Sequence, residues 1–412
     1  MDVIHPRCAG IDCSKKDAKV CVRIQGQGRR KKSATVSTWG ATTGQILALR
    51  EHLVAAKVTC VVIESTSDYW KPFYYLLDDA LDVMLVNAAA VRNLPGRKTD
   101  VSDAAWLADL GAHGLVKASF VPPAPVRELR DLTRTRTVIT RERTREMQRL
   151  EKLLEDTGIK LSSVASDITG VSGRAMLEAL IAGQRDPRAL ADLAKGKLRP
   201  KIPQLTAALA GHFGAHHAIV AACILGHLDF LDAAIGGLDE QVAARVADGY
   251  QPAARLLADV PGLERRSIEV IIAETGADMS RFPSPGHLAS WAGLCPGNHE
   301  SAGKRRRVAT TPGNQWLRRT MIESARAAAR TKGSYFGAQY RQIARRRGPN
   351  KAAVAVAHSL LDVIWHILTT GEVFTDLGED YFTSRQDKEH QARRLIGQLE
   401  KLGFTVQLTE AG

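Results

Sequence analysis

Three prolines in four residues, Pro122, Pro123 and Pro125, divide the chain into two parts that fold by different rules. Proline fixes φ and carries no N–H, so neither a strand interior nor a helix interior runs through such a stretch. Before the break, residues 8–120 alternate between short apolar runs and helix-like stretches. Ala18 to Ile24, Cys60 to Ile63 and Val83 to Val86 read as strands, and Gln45 to Ala56, Tyr69 to Asp78 and Asp100 to Leu110 read as helices. Strands separated by helices predict an α/β sheet with covered faces. After the break, Arg127 to Asp156 reads as one long helix. Leu129, Leu132, Ile139, Leu150 and Leu153 follow a three-four repeat, but Arg136, Arg143 and Glu146 fall on the same stripe. That imperfect heptad predicts a helical arm or a dimer contact, not an ideal coiled coil. Residues 160–250 are Ala- and Leu-rich and helical throughout, broken at Pro187, Pro200 and Pro203; residues 255–370 form a second compact unit. The tail after Gly371 is polar and peripheral, with one short helix from Gln391 to Leu402. The expected division is 1–120, 121–250, 251–370 and 371–412.

No run of eighteen apolar residues occurs, so no transmembrane helix and no membrane partner are expected. The start, Met1 to Pro6, lacks a signal-peptide pattern, and the expected location is the cytoplasm. Six cysteines, Cys8, Cys13, Cys21, Cys60, Cys223 and Cys295, show neither zinc-site nor disulfide spacing and read as reduced thiols, mostly small core residues. The formal net charge is +13, and all of it comes from one place. Ser301 to Lys351 holds 14 Lys and Arg against one acid, Glu323, while the rest of the chain balances 43 bases with 43 acids. A basic field so concentrated attracts polyanions. A solvated basic face or an acidic protein partner would have the same sign. Arg305-Arg306-Arg307 and Arg345-Arg346-Arg347, with almost no compensating acid, favour nucleic acid.

Four acids stand at positions where a sheet gathers side chains. Asp12 lies in Gly10-Ile11-Asp12-Cys13-Ser14, which opens the first strand region. Glu64 closes the apolar run Val61-Val62-Ile63. Asp100 and Asp103, three apart at a helix start, share a helix face. Carboxylates converging above a sheet repel one another unless cations sit between them. Mg²⁺ prefers oxygen ligands and is held by a few carboxylates plus substrate phosphate, and paired ions suit phosphodiester chemistry. Asp100 also fits a helix cap, and Asp103 fits the favourable end of a helix dipole. Asp12 and Glu64 are harder to fit to an ordinary role, because an acid closing an apolar strand is rarely buried unless paired; taken singly, each of the four acids is ambiguous. As an ordered set, the four read as a metal site.

The basic half contains Val260-Pro261-Gly262-Leu263 between two helical stretches, the pattern of a helix-hairpin-helix, whose turn suits a phosphate; a plain αα-hairpin has the same pattern. Farther on, Ser301 is flanked by Ala302 and Gly303 and followed by Lys304, Arg305, Arg306 and Arg307. Small neighbours let a phosphate approach, and the bases suit holding it. A serine hydroxyl is weak without a base or metal, and by itself Ser301 reads first as a residue that shapes a turn. Gly313-Asn314 then opens a helix on which Arg318, Arg319, Arg326 and Arg330 form a phosphate-contacting surface, while Trp316 reads as core.

Gly10-Ile11-Asp12, Glu64 and Lys98-Thr99-Asp100 with Asp103 resemble the RuvC-like nuclease domain of the DEDD transposases. The Pro-Gly hairpin, Trp291 to Pro296, Ser301-Ala302-Gly303-Lys304 and Gly313-Asn314 resemble the C-terminal transposase domain of the same family, the IS110 insertion-sequence family, which includes the Piv-type invertases. The resemblance spans residues 8–370 with both motif sets in order. It implies an α/β plus α chain: a RuvC/RNase H-like N-terminal domain, a long coiled-coil-like helical linker, and a mainly helical C-terminal transposase domain with a helix-hairpin-helix. It implies a DNA recombinase with Asp12, Glu64, Asp100 and Asp103 as Mg²⁺ ligands and Ser301 as the nucleophile that forms a transient phosphoserine link. It also implies a structured bridge RNA that pairs with donor and target DNA, and a working homo-oligomer, dimer to tetramer. Many members carry consecutive serines or Ser-Gly before Gly-Lys; here Ser301 alone matches. The alternatives are a Mg²⁺-dependent nuclease or junction resolvase with a structural serine, a Piv-type invertase, and a non-catalytic nucleic-acid-binding descendant.

Overall fold

The computed structural model describes residues 2–26, 32–65, 67–88, 91, 102–297, 300–301, 304–305, 309–384 and 388–406. The chain divides into two compact units at the proline run, residues 1–122 and 123–412.

The first unit is a mixed five-stranded sheet with helices on both faces. Strands β1 (Arg7–Cys13), β2 (Asp17–Ile24) and β3 (Ser33–Gly40) run antiparallel, α1 (Thr43–Ala55) leads to β4 (Cys60–Glu64), α2 (Trp70–Leu77) leads to β5 (Val83–Val86), and α3 (Asp103–Ala112) follows. The order is β3-β2-β1-β4-β5, with β4 parallel to β1 and β5 parallel to β4. Side chains alternate across the sheet. Ala9, Ile11, Val61 and Ile63 pack on α1 and α2 through Ile46, Leu49, Phe73 and Leu77. Cys8, Cys60 and Val62 face the other way, against Leu107 and Leu110 of α3. Helix α3 lies so close to β1 that a β-carbon on Gly10 would overlap the Ala104 carbonyl oxygen and the Ala108 nitrogen. On the helix side, a β-carbon at Gly111 would come within 2.7 Å of Cys8 Sγ. These two glycines let helix and sheet meet backbone to backbone.

The second unit is helical. It comprises α4 (Ala124–Asp156), α5 (Val171–Ile181), α6 (Pro187–Ala191), α7 (Ile202–Ala208), α8 (Ala215–Gly249), α9 (Gln251–Ala258), α10 (Arg265–Thr275), α11 (Pro285–Trp291), α12 (Gln315–Ala328), α13 (Tyr335–Arg347), α14 (Pro349–Thr370), α15 (Tyr381–Ser384) and α16 (Lys388–Lys401), plus the two-residue strands β6 (Glu300–Ser301) and β7 (Lys304–Arg305). Helices α4 and α8 form a long antiparallel pair with a core at each end. At one end Leu150 and Leu154 join Ile224, Leu225 and Leu228, capped by α5 and α7. At the other, Leu129, Val242 and Val246 belong to the same core as α9 through α14. A boundary at residue 250 therefore does not separate two bodies of packing, because apolar side chains from both long helices complete the downstream core.

The charged residues that spoil the heptad occupy the stretch between the cores, where they have partners on α8 and α10. Arg136, 3% exposed, donates from Nη1 to Asp239 Oδ1 at 2.7 Å and to Glu269 Oε2 at 2.5 Å. Arg143 binds both carboxylate oxygens of Asp232. Glu146 holds Arg149 and approaches His227. Helices Ala215–Gly249 and Pro349–Thr370 are long and apolar enough to cross a membrane by length and composition, contrary to the expectation of no such segment. In this fold each supplies side chains to a core: Leu225 and Leu228 from the first, Leu360 and Ile364 from the second.

The tail is not wholly peripheral. Phe374 stacks on Phe336 and packs on the core, Phe382 stacks on Tyr335, and Asp376 accepts the Tyr335 backbone N–H at 2.8 Å. Its polar composition hid these three residues, spaced to fold back over α13. Helix α16 starts three residues before the expected one.

Candidate functional site

Asp12 and Glu64 come together because their strands are parallel neighbours. The register pairs Gly10 with Val62 and Ile11 with Ile63, so one residue on sets Asp12 beside Glu64 at the carboxyl ends of both strands. Alternation puts both on the face that carries Cys8, Cys60 and Val62, under α3. Helix α3 begins there. Ser102 caps it, its hydroxyl accepting the Ala105 N–H at 3.3 Å, and Asp103 is the first helical residue. The cap is thus Ser102, so the capping role open to Asp100 in the sequence falls elsewhere. Asp100 itself lies outside the described residues.

Two of the described acids act on the third. Burial pushes the Asp12 carboxyl above the ordinary aspartate range, and the negative charges of Asp103 and then Glu64 push it further. Lys19, directly across the β1–β2 ladder from Asp12, offsets this only partly. The half-buried Asp12 also helps raise Cys13, whose buried thiol stands at about 12. Lys19 is a participant that the sequence reading missed; its signal is the tight β1–β2 hairpin, which places it opposite Asp12. Among the described residues, no three or more His, Cys, Asp or Glu side chains are already gathered in ligating geometry. The donor chemistry nevertheless fits a hard divalent cation: carboxylate oxygens at the open end of a sheet, with repulsion that positive charge would relieve.

A second charged residue on α3 behaves differently. Asp109 accepts from Arg23 Nε at 2.6 Å and from Lys32, and these bonds outweigh its burial and hold it below the usual range. It anchors the helix to β2.

In the second unit, Ser301 sits on a two-stranded hairpin, opposite Lys304 in the β6–β7 register. Lys304 and Arg305 form β7, while Arg306 and Arg307, like the side chains of Ser301, Lys304 and Arg305, lie outside what is described. The root of the hairpin is rigidly held. Pro296 bridges Thr310, Gly297 N–H donates to Ala309 at 3.1 Å, and Thr311 N–H donates to Cys295 at 3.2 Å. Arg318 Nη1 donates to the Gly293 carbonyl at 2.8 Å and to Thr310 Oγ1 at 2.6 Å. Arg318 is therefore a brace for the hairpin, half-buried, and not a free phosphate contact. Asn314 caps α12 by accepting the Trp316 and Leu317 N–H groups at 3.0 Å, and its Nδ2 donates to Glu274 at 2.7 Å. Glu274, fully buried, also receives a bidentate bond from Arg134.

Arg319 and Arg326 are exposed on α12, and Arg330 is exposed in the turn just beyond its end. Arg319 faces Arg141 of α4 across a cavity of about 250 Å³ that Trp316 also lines. Burial and the charge of Arg319 lower the Arg141 pKa, with Glu323 opposing. Arg141 lies over the Trp316 ring at 5.2 Å and Arg134 at 5.6 Å, so Trp316 serves as a cation platform as well as packing. The Pro261-Gly262 turn does join α9 and α10. Gly262, at φ +83°, turns its bare face to α12, where a β-carbon would meet the Ala328 nitrogen at 2.6 Å. At the start of α10, Arg265 and Arg266 pair with Asp239. That hairpin is used for packing.

Both motif sets have family matches. Residues 9–159 match the transposase family described as DEDD transposase of IS110 type, and residues 254–341 match the transposase IS116/IS110/IS902 family. The transposase for insertion sequence element IS1111A of Coxiella burnetii is 24% identical over 329 residues, 78% of this chain and 81% of that one. An uncharacterized 42 kDa protein of insertion element IS900 from Mycobacterium paratuberculosis is 29% identical over 408 residues, 90% of this chain and 97% of its own. A putative transposase of Sinorhizobium fredii is 31% identical over 123 residues, 29% of this chain and 32% of that one. These matches define a transposase, an enzyme that cuts and rejoins DNA, in the DEDD group that uses divalent metal ions. The chain belongs to the IS110 family of insertion-sequence transposases.

Proposed function

We propose that this transposase exchanges strands between donor and target DNA with two groups of residues, a carboxylate site on the sheet and a serine on the basic hairpin. In this reading the first unit is an RNase H-like nuclease domain, to which its strand order corresponds, and Asp12, Glu64, Asp100 and Asp103 hold Mg²⁺. The carrying observation is the β1–β4 register that sets Asp12 beside Glu64 at the strand ends where α3 begins at Asp103; burial and then these like charges push Asp12 up, which a bound cation would reverse. Mg²⁺ bound there would polarise a scissile phosphate and stabilise charge on the leaving oxygen. The chain's own residues do the rest. Gly10 and Gly111 bring α3 down so that Asp103 reaches the strand ends. Ser301 attacks the phosphorus, its oxygen forming the new bond as the bond to the departing DNA oxygen breaks, and the serine proton is lost as that oxygen gains one and leaves as a hydroxyl. Lys304 to Arg307, with Arg319, Arg326 and Arg330, hold the DNA backbone, while Arg318 and Asn314 fix the hairpin root.

Family membership supports a structured bridge RNA as guide and a homo-oligomer of two to four copies, and both belong to this proposal. The net charge concentrated between Ser301 and Lys351 suits RNA and DNA alike. Ser301→Ala tests the serine. With the intact protein, Mg²⁺ and DNA carrying the element ends, wild type forms a covalent protein–DNA adduct on denaturing gels and the variant forms none. An adduct in the variant contradicts the assignment; Mg²⁺-dependent cuts without any adduct in wild type point to a nuclease or resolvase instead.

A further inference from the structure

Cys295 stands apart from the other cysteines. Cys8, Cys13, Cys21 and Cys60 are buried in the sheet unit, and Cys223 is exposed on α8. Cys295 is half-buried, and its Sγ lies 3.7 Å from His358 Nε2. On the far side of that ring, His358 Nδ1 lies 3.3 Å from Asp362 Oδ2, one helical turn on along α14. The imidazole and carboxylate are 33% and 38% exposed, so small solutes reach them. Asp362 accepts a hydrogen bond from Nδ1–H, which leaves the lone pair of Nε2 turned toward the thiol. Thiol, imidazole and carboxylate in a row are the nucleophile, base and orienting group of covalent chemistry.

We propose that Cys295 is a peroxide-reactive thiol, with His358 as its base and Asp362 orienting that base. In the step, sulfur forms a bond to one peroxide oxygen as the O–O bond breaks. His358 takes the thiol proton and passes it to the departing hydroxide, which leaves as water. Sulfur is oxidised to the sulfenic acid and the peroxide is reduced. Burial and then the charge of Asp362 push the resting thiol above the ordinary cysteine range, so the reactivity depends on proton transfer during attack. Asp362 raises the basicity of His358, its hydrogen bond outweighing burial. The thiol also has a location that matters: the Cys295 carbonyl accepts the Thr311 N–H at the root of the hairpin that carries Ser301. Oxidation adds an oxygen at that root, against α14. The chemistry of the thiol does not require the strand-exchange reading to hold.

The molecule carries its own reference, since Cys223 is exposed and, among the described residues, hydrogen-bonds no imidazole; His227, one turn on, lies against Glu146. The full-length protein is treated with dilute hydrogen peroxide at about pH 8, near the ordinary thiol pKa. Sulfenic acid is trapped with dimedone and each cysteine is quantified by mass spectrometry. Cys295 is expected to react on the order of 10-fold faster than Cys223. His358→Gln should bring it down to the Cys223 rate with Cys223 unchanged, and Asp362→Asn should lower it by less. Labelling of Cys8 or Cys60 in a variant would report misfolding, in which case the wild-type ratio of Cys295 to Cys223 decides. A wild-type Cys295 no faster than Cys223, or one indifferent to His358→Gln in a folded protein, overturns the proposal.

Discussion

Asp12 and Asp239 are both aspartates partly removed from water, and their environments move them in opposite directions. Burial, Asp103 and Glu64 drive Asp12 up. Burial also works against Asp239, but hydrogen bonds from Arg266 and Arg136 outweigh it and hold that carboxyl down. Around Asp239 the fold supplies the opposite charge from α4 and α10, and the cluster is complete within the chain. Around Asp12 it gathers more of the same charge and supplies Lys19. Charge balanced internally joins elements; charge accumulated at the open end of a sheet is a place for something from outside. The same rule separates Asp109, tied to Arg23, from Asp103 six residues earlier on the same helix.

The largest effect should come from breaking the balanced cluster. Arg136→Met leaves Glu269, 2% exposed, and Asp239 with less counter-charge, and should cost about 3–5 kcal/mol in urea unfolding. A loss within experimental error would mean the cluster is spectator charge. Next, Gly10→Ala forces α3 off β1 and should cost about 1–3 kcal/mol. It should also weaken Mg²⁺-dependent DNA cleavage more than binding of DNA, because Asp103 moves with the helix.

Asp12→Asn should act in the opposite sense from Arg136→Met. Because the folded pKa of Asp12 is raised, ionisation destabilises the folded state once pH rises past the unfolded value of about 3.9. The variant should therefore melt higher than wild type at neutral pH without metal, with the gap closing in acid. Asp239, whose folded pKa is lowered, contributes stability above that unfolded value and loses it as pH falls through the lower folded one. The smallest effect belongs to Asp232→Asn, which removes an exposed partner of Arg143 and should cost less than about 1 kcal/mol.

Much of this contrast was readable from residue order. The strands at 18–24, 60–63 and 83–86 and the long helix after Pro125 follow from apolar spacing, and the acids at strand ends follow from it too. Strand β3 did not, since Ser33 to Gly40 is an edge strand with mostly exposed side chains and no apolar run. The role of Arg136, Arg143 and Glu146 was legible only as a defect in a heptad. Their partners Asp239, Asp232 and His227 lie about a hundred residues away, and a helix stripe carries no record of which helix faces it. Arg318 looked like a phosphate contact because its charge is visible in sequence, whereas the carbonyl of Gly293 that binds it is not. The tail misled for a related reason: Phe374 and Phe382 are sparse among polar residues, and only Tyr335 and Phe336 at the start of α13 make them useful.

Thermal melting of metal-free wild type and Asp12→Asn, each with and without Mg²⁺, tests most directly whether the sheet-end acids await a cation. Wild type should gain stability on Mg²⁺ addition, by about 2.7 kcal/mol at a hundredfold excess over the dissociation constant, and the variant should gain far less. Equal responses from the two proteins, or no response from wild type, would contradict the account.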